Sequence, residues 1–326
     1  MKTTGRKTTP DSERKSVMQR ILFTLPIGTG FPVFGYGLFL MLGFVVGLVF
    51  AWSRAKKAGI SGDAALDIGL ISIFAGVVGA RAAYLLIDYQ PADGNYGNWK
   101  EWLAVWQGGL TFQGGLFLAL AACWLYLKKK RIAVGKMFDV FAPSLAIGVG
   151  FGRLGCLLNG CCWGKMAPAG TWWSMRFPDT IEPMAIQHWI HQTHPEQWNE
   201  TVVGLGYPAG TLPTIPIYAT QIVSAVGLFL IAAGLLWAER RWRNRVDGQV
   251  INWFLFAYAI GRFIIEYWRD DTPLRYGFGP FPGFRLGQWL AVAMFAAALV
   301  IQFFLNKKKK AEQNDATTDQ SLPGAG

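Results

Sequence analysis

Charge is scarce in this chain of 326 residues, at 16%, and there are only three histidines. A soluble domain carries about a quarter of charged residues, so a large water-exposed surface is not expected. Cysteine is also sparse: Cys123, Cys156, Cys161 and Cys162 contain no Cys-x-x-Cys pair and match neither a secreted disulfide framework nor a standard zinc signature. We read them as small packing residues and expect no metal and no cofactor; the alternative reading is Cys161 as a nucleophile or metal ligand. Acidic residues are too few to balance the basic ones, 20 against 31. The net charge of +11 does not mark a nucleic-acid binder, because the lysines and arginines sit in clusters between apolar runs, as in membrane loops. Residues 1–20 lack the apolar run and cleavage site of a signal peptide, and no internal repeat is evident.

What the chain has in abundance is apolar length. Hydrophobic residues make up 52%, with 15 Trp and 23 Phe, and the mean hydropathy is positive. Stretches long enough to cross a bilayer as helices recur at 32–53, 66–89, 108–127, 137–159, 214–237, 250–268 and 287–305. The expected fold is therefore an all-α polytopic membrane protein of seven transmembrane helices. Sixteen basic residues follow the odd-numbered spans, from Arg54, Lys56 and Lys57 to Lys307–Lys310, whereas the alternate loops are poorer. Cytoplasmic loops are the basic ones, so the C-terminus is assigned to the cytoplasm and the N-terminus to the other side. This divides the chain into an extracytoplasmic polar tail (1–31), a membrane domain (32–305) with a cap insertion (160–213), and a basic, then disordered, cytoplasmic tail (306–326). The cap holds five tryptophans and His188, His191 and His194, spaced by three; without a carboxylate or cysteine in a recognised pattern they are not read as metal ligands.

Polar residues inside the spans are costly and point to function. Alternating span direction places Tyr36, Arg81, Tyr84, Gln113, Arg153, Asn159, Gln221, Tyr258, Arg262, Glu266 and Gln288 in the outer half, and leaves the inner half nearly all Leu, Val, Ala and Phe. That asymmetry predicts a cavity open to the outer leaflet. The central stretch is Gly150–Gly164, where Arg153, Asn159 and three cysteines end a run without charge from residue 140 to 152. Arg81 and Arg153 have no acid three or four residues away, while Arg262 has Glu266 at i+4. Three arginines around one cavity favour a phosphate, which guanidinium binds through paired donors. Glycines at 108, 109, 114, 115, 152, 155 and 160 permit close helix approach or backbone contact with a ligand.

These residues resemble the bacterial prolipoprotein diacylglyceryl transferases over most of 32–305. Gly152, Arg153, Leu154, Gly155, Leu158, Asn159, Gly160, Trp163 and Gly164 resemble the family signature of span four. Trp106, Gly108, Gly109, Gly114, Gly115 and Leu116 resemble its span-three glycine motif, and Tyr258, Arg262, Phe263, Glu266 and Arg269 its span-six pattern. Thr220, Gln221, Gly287 and Gln288 match smaller motifs. The resemblance implies transfer of a diacylglyceryl group from phosphatidylglycerol to the cysteine thiol of the prolipoprotein signal-peptide region, releasing glycerol phosphate, in the bacterial inner membrane among its lipids. It implies catalytic roles for Arg153, Arg262, Glu266 and Gln113, and lipid contacts from Arg153, Asn159, Tyr36, Arg81, Gly109, Gly164 and Tyr258.

The chain departs from the family at three places. Gln113 stands where the family usually has a histidine, and glutamine cannot take a thiol proton. Cys156 and Cys161 stand at the usual asparagine and glutamate of the signature, and the motif around 218–224 lacks its usual residues. Glu266 is then the candidate base, unless the free thiolate fraction suffices. Open alternatives are a lipid-binding or headgroup-transferase paralogue with another acceptor, a catalytically impaired member, a transporter, and a thiol-redox membrane protein.

Overall fold

Each of the seven apolar stretches contains a helix in the computed structural model. It describes residues 21–25, 31–87, 102–105, 109–177, 187, 190–192, 194–212, 214–269 and 285–321, with side chains from 34 to 314. Residues 1–20, Trp106, Gly108, His188 and Trp189 of the sequence reading lie outside that set. The helices are α1 (Gly35–Lys57), α2 (Gly62–Ile87), α3 (Phe112–Lys129), α4 (Val134–Asn159), α5 (Pro195–Gly204), α6 (Thr220–Arg241), α7 (Gln249–Glu266) and α8 (Leu286–Ser321). By length and composition α1, α2, α4, α6 and α8 can cross a membrane. The helices α3 and α7 have 18 residues each, and their apolar runs are interrupted by Lys128 and Lys129 and by Arg262 and Glu266.

Two ends differ from expectation. The segment read as tail before residue 32 contains β1 (Ile21–Leu25), paired antiparallel with β2 (Phe31–Phe34). Alternating Ile21, Phe23 and Leu25 supply the period of two that favours a strand. At the other end α8 continues past Lys307–Lys310 to Ser321, where disorder was expected. Lysines followed by acids at helical spacing support it, as in the pair Lys308 to Glu312 at 3.8 Å.

The chain divides into two compact units, and α1, α4, α6, α7 and α8 contribute residues to both. One comprises Phe44–Ile147, Ile231–Ala257 and Phe295–Gly326. Here α2 and α3 pack antiparallel: Asp67 meets Tyr126, Ser72 meets Cys123 and Ala80 meets Thr111. The approach is set by glycines, since a Cβ on Gly79 would lie 2.5 Å from the Gly114 carbonyl oxygen and one on Gly115 2.7 Å from that of Gly76. Small residues of this kind let backbones touch where lipid provides no hydrophobic drive.

This unit also holds polar side chains that the sequence reading had not weighed. Buried Asp139 accepts hydrogen bonds from the Gly248 and Ile251 amides at 2.9 and 2.8 Å, capping the start of α7. Arg54 donates to Glu239 at 2.7 Å and to the Val140 and Asp139 carbonyls, and Arg245 donates to the second Glu239 oxygen at 2.6 Å. Gln302 accepts from both Gln249 and Asn252. Most of these partners lie 50 to 185 positions away, and their bonds explain the tolerance of these groups in an apolar setting. Replacing Asp139 by Ala leaves two amide donors uncapped and is expected to cost about 2–4 kcal/mol, read as a lower thermal midpoint of the detergent-solubilised protein.

The second unit comprises Met1–Gly43, Gly148–Leu230 and Tyr258–Met294. In it the start of α1 runs antiparallel to the end of α4: Gly43 faces Gly148 and Phe151, and Gly155 faces Tyr36 and Phe39. Between α4 and α6 the chain forms β3 (Ser174–Met175), α5 and β4 (Ile217–Tyr218), with β3 and β4 antiparallel. Trp198, Val202 and Ile215 make a small core there. The side chain of Gln187 brackets Ile215, donating to its carbonyl at 3.1 Å and accepting from its amide at 2.8 Å. His191 packs edge-on against Trp198, and His194 precedes α5.

Candidate active site

The helix α4 ends in a turn that its sequence dictates. Gly160 takes φ 69°, its amide donates to the Leu157 carbonyl, and the Cys161 amide donates to the Cys156 carbonyl. This is the paired bonding of a Schellman cap, which needs a left-handed residue, usually glycine, just past the helix. Cys162 is left-handed too, at φ 61°, a conformation rare for side-chain-bearing residues. The start of α6 holds the turn in place: Thr220 Oγ1 donates to the Cys162 carbonyl and Gln221 Nε2 to that of Cys161, both at 2.9 Å.

The following residues bind the end of α7. Lys165 donates its amide to the Trp268 carbonyl at 2.8 Å, and Gly164 pairs with Arg269 as an antiparallel bridge. Only glycine fits at 164, where a Cβ would lie 2.6 Å from the Tyr218 carbonyl oxygen. Arg153 and Asn159 on α4, the cysteine turn and Arg269 are thus held in one unit by backbone contacts.

On α7, Tyr258, Arg262 and Glu266 recur every four residues, on one face. Glu266 is fully buried. Its Oε2 lies 2.8 Å from Arg262 Nη2, off the line of a hydrogen bond, and 3.9 Å from Arg269 Nε. Arg262 Nη1 and Glu266 Oε1 are buried and make no hydrogen bond among the described residues. Gly287 leaves room for the pair: a Cβ there would lie 2.6 Å from the Glu266 carboxylate and 2.8 Å from Arg262 Nη2. Gln288 Oε1 accepts from the Arg285 amide at 3.0 Å, fixing the first turn of α8, and the Arg285 guanidinium donates to the Arg269 carbonyl. Gly287→Ala should push the carboxylate off the arginines, lowering the thermal midpoint and reducing transfer about 10- to 100-fold.

Arg262 and Arg269 contact the Glu266 carboxylate, and Arg153 lies within electrostatic range of both of these arginines and of Tyr258. Tyr36, on the first turn of α1, is in electrostatic range of Arg153 and of all three cysteines of the turn. The Cys156, Cys161 and Cys162 sulfurs lie within 4.8 Å of one another. The neighbouring Cys156 and Cys161 thiols lower the Cys162 pKa from that of an ordinary thiol; burial opposes this, and Arg269 and Arg153 add attraction.

The site residues named from sequence divide between the two units. Arg153, Asn159, Tyr36, Gly164, Tyr258, Arg262 and Glu266 fall in one, and Arg81, Gly109 and Gln113 in the other. Arg81 donates to the Trp102 and Gly109 carbonyls at 3.1 and 3.0 Å and lies over the Tyr84 ring. Gly109 adopts φ 69° beside it, and Gln113 is exposed at the start of α3. The third guanidinium beside Arg153 and Arg262 is that of Arg269. Its position, three after Glu266 and seven after Arg262, was the available signal.

The prolipoprotein diacylglyceryl transferase family model matches residues 21–304. A phosphatidylglycerol–prolipoprotein diacylglyceryl transferase of Clostridium tetani is 30% identical over 78% of this chain and 86% of its own length. That of Finegoldia magna is 27% identical over 89% and 97%, and that of Xanthomonas euvesicatoria 30% over 82% and 85%. With that model matching most of its length, the chain belongs to the prolipoprotein diacylglyceryl transferase family.

Proposed function

We propose that this protein transfers the diacylglyceryl group of phosphatidylglycerol to the cysteine thiol of prolipoproteins, as a multi-pass protein of the bacterial inner membrane. The observation that carries this is the pair Arg262 and Arg269 on buried Glu266, with Arg153 in electrostatic range of both arginines. A phosphodiester brings negative charge to that group and offers an acceptor to Arg262 Nη1, which makes no hydrogen bond among the described residues. As the bond from glycerol to phosphate oxygen breaks, charge grows on the phosphate, and fixed guanidiniums stabilise it more in the transition state than in the ground state. Glu266 holds Arg262 and Arg269 in position. Tyr36, Asn159 and Tyr258 orient the headgroup; Arg81 holds the Trp102 and Gly109 carbonyls, and Gln113 takes a polar rather than a basic role.

The topology that suits this reading has all seven long helices crossing the bilayer, α3 and α7 included. The N-terminus and the 160–213 cap then face outward, and the basic C-terminal segment faces the cytoplasm, in keeping with the loop charges. The test is complementation of a strain depleted of its own transferase, followed by mass measurement of one lipoprotein. A mass gain equal to one diacylglyceryl group is expected. Binding of phosphatidylglycerol without that gain would make the chain a lipid-binding relative without turnover.

A further inference from the structure

The three cysteines of the α4 turn are absorbed by neither the phosphate site nor the packing. Cys156, Cys161 and Cys162 come from one turn whose reversal folds residues 161 and 162 back over 156. All three are half-buried free thiols. A zinc ion bound at about 2.3 Å by each sulfur sets tetrahedral sulfurs about 3.8 Å apart, so sulfurs already within 4.8 Å need only a small side-chain adjustment. Gln221, Thr220 and the Schellman bonds brace the loop, and the left-handed Cys162 is kept where a relaxed chain would avoid it. Arg153 and Arg269 offset the negative charge of a trithiolate centre. No fourth His, Cys, Asp or Glu ligand joins the cluster among the described residues; three protein ligands and one open position is the arrangement of a reactive rather than a structural zinc site.

We propose that Cys156, Cys161 and Cys162 bind one Zn²⁺ whose fourth position takes the acceptor thiol of the substrate. This rests on the transferase reading above and supplies what Gln113 cannot, a means of forming the thiolate. A thiol coordinated to zinc gives up its proton, here to water. The sulfur electron pair then forms the bond to the glyceryl carbon, the bond from that carbon to phosphate oxygen breaks with its pair on the oxygen, and glycerol phosphate takes up a proton from water. No electron is gained or lost by the metal, and the thioether product, a weaker ligand than a thiolate, leaves.

The test uses the purified full-length protein in detergent, reduced, stripped with a chelator and titrated with cobalt. A thiolate-to-cobalt charge-transfer band saturating at one cobalt per chain and reversed by zinc is expected. Cys156→Ala and Cys161→Ala should lose it, and a lipobox peptide should shift the cobalt spectrum where its Cys-to-Ser counterpart does not. The stripped protein should lose transfer by about 10²-fold or more and regain it with zinc. Absence of the band, with three reactive thiols confirmed by titration or with a disulfide that yields no cobalt binding after reduction, overturns the metal site. A band indifferent to the peptide thiol, or full transfer by stripped protein, overturns the role of the fourth position. Arg153→Gln should abolish transfer and keep the band. Wild-type protein that shows the band but never transfers lipid would instead defeat the transferase reading and leave the metal site standing.

Discussion

Arg153→Gln is expected to lower diacylglyceryl transfer by at least about 10²–10³-fold in a purified assay with phosphatidylglycerol and a lipobox peptide. Glutamine keeps a polar planar tip of similar reach but loses the charge and the paired guanidinium donors that phosphate oxygens use. The substitution removes one of three cations from the cluster without disturbing Glu266, whose 2.8 Å partner is Arg262. Arg153 is not a link in the backbone bracing either, since the turn is held by Gly160, Thr220 and Gln221. Protein yield and thermal midpoint should therefore stay close to wild type while activity falls. Arg153→Lys separates the two contributions. A point charge retained without the fork should recover part of the rate, whereas full recovery would assign the effect to charge alone. Near wild-type transfer by Arg153→Gln would remove the phosphate role.

How much of this was legible in the sequence depended on the range over which each residue finds its partners. The helices were, because apolar length alone specifies them. So was the association of Arg262 with Glu266, one helical turn apart. Arg269 was legible only in part: it lies just past the end of α7, yet its spacing from Glu266 keeps it within reach of the carboxylate. Arg81 read as an anion ligand because no acid stood near it in sequence, but part of its bonding is to the carbonyls of Trp102 and Gly109, which carry no mark in the side-chain pattern.

The cysteines show a second kind of limit. Taken as letters, Cys156 and Cys161 are departures from a family pattern, and Cys162 is a neighbour. The Asn159–Gly160 pair closing an apolar run is a stop signal of the expected type, and its Schellman geometry brings residues five and six apart onto one spot. Spacing rules for metal sites are built on other turns and pass over this one. The polar residues of the other unit were missed for the opposite reason. Asp139 meets Gly248 and Ile251, 109 and 112 residues later, and Glu239 meets Arg54 across 185; no local pattern reveals partners so distant.

Glu266→Ala is expected to have the largest effect on the fold of any change in the site. The carboxylate is fully buried and is the acid in ion-pair contact with Arg262 and Arg269. Its removal takes the 2.8 Å carboxylate partner from Arg262; breaking a buried pair from one side typically costs about 3–5 kcal/mol. The protein should show a markedly lower thermal midpoint and no transfer. Glu266→Gln keeps the shape and one acceptor but not the charge, and should fall between the two in stability while remaining inactive. Adding phosphatidylglycerol then discriminates between roles. If Glu266 serves to hold the arginines for the phosphate, the lipid should restore part of the lost stability to Glu266→Gln, because its phosphate supplies the missing negative charge to the same guanidiniums. If the lipid stabilises wild type and Glu266→Gln by the same amount, the carboxylate and the phosphate do not share those arginines, and the positioning role assigned to Glu266 is wrong.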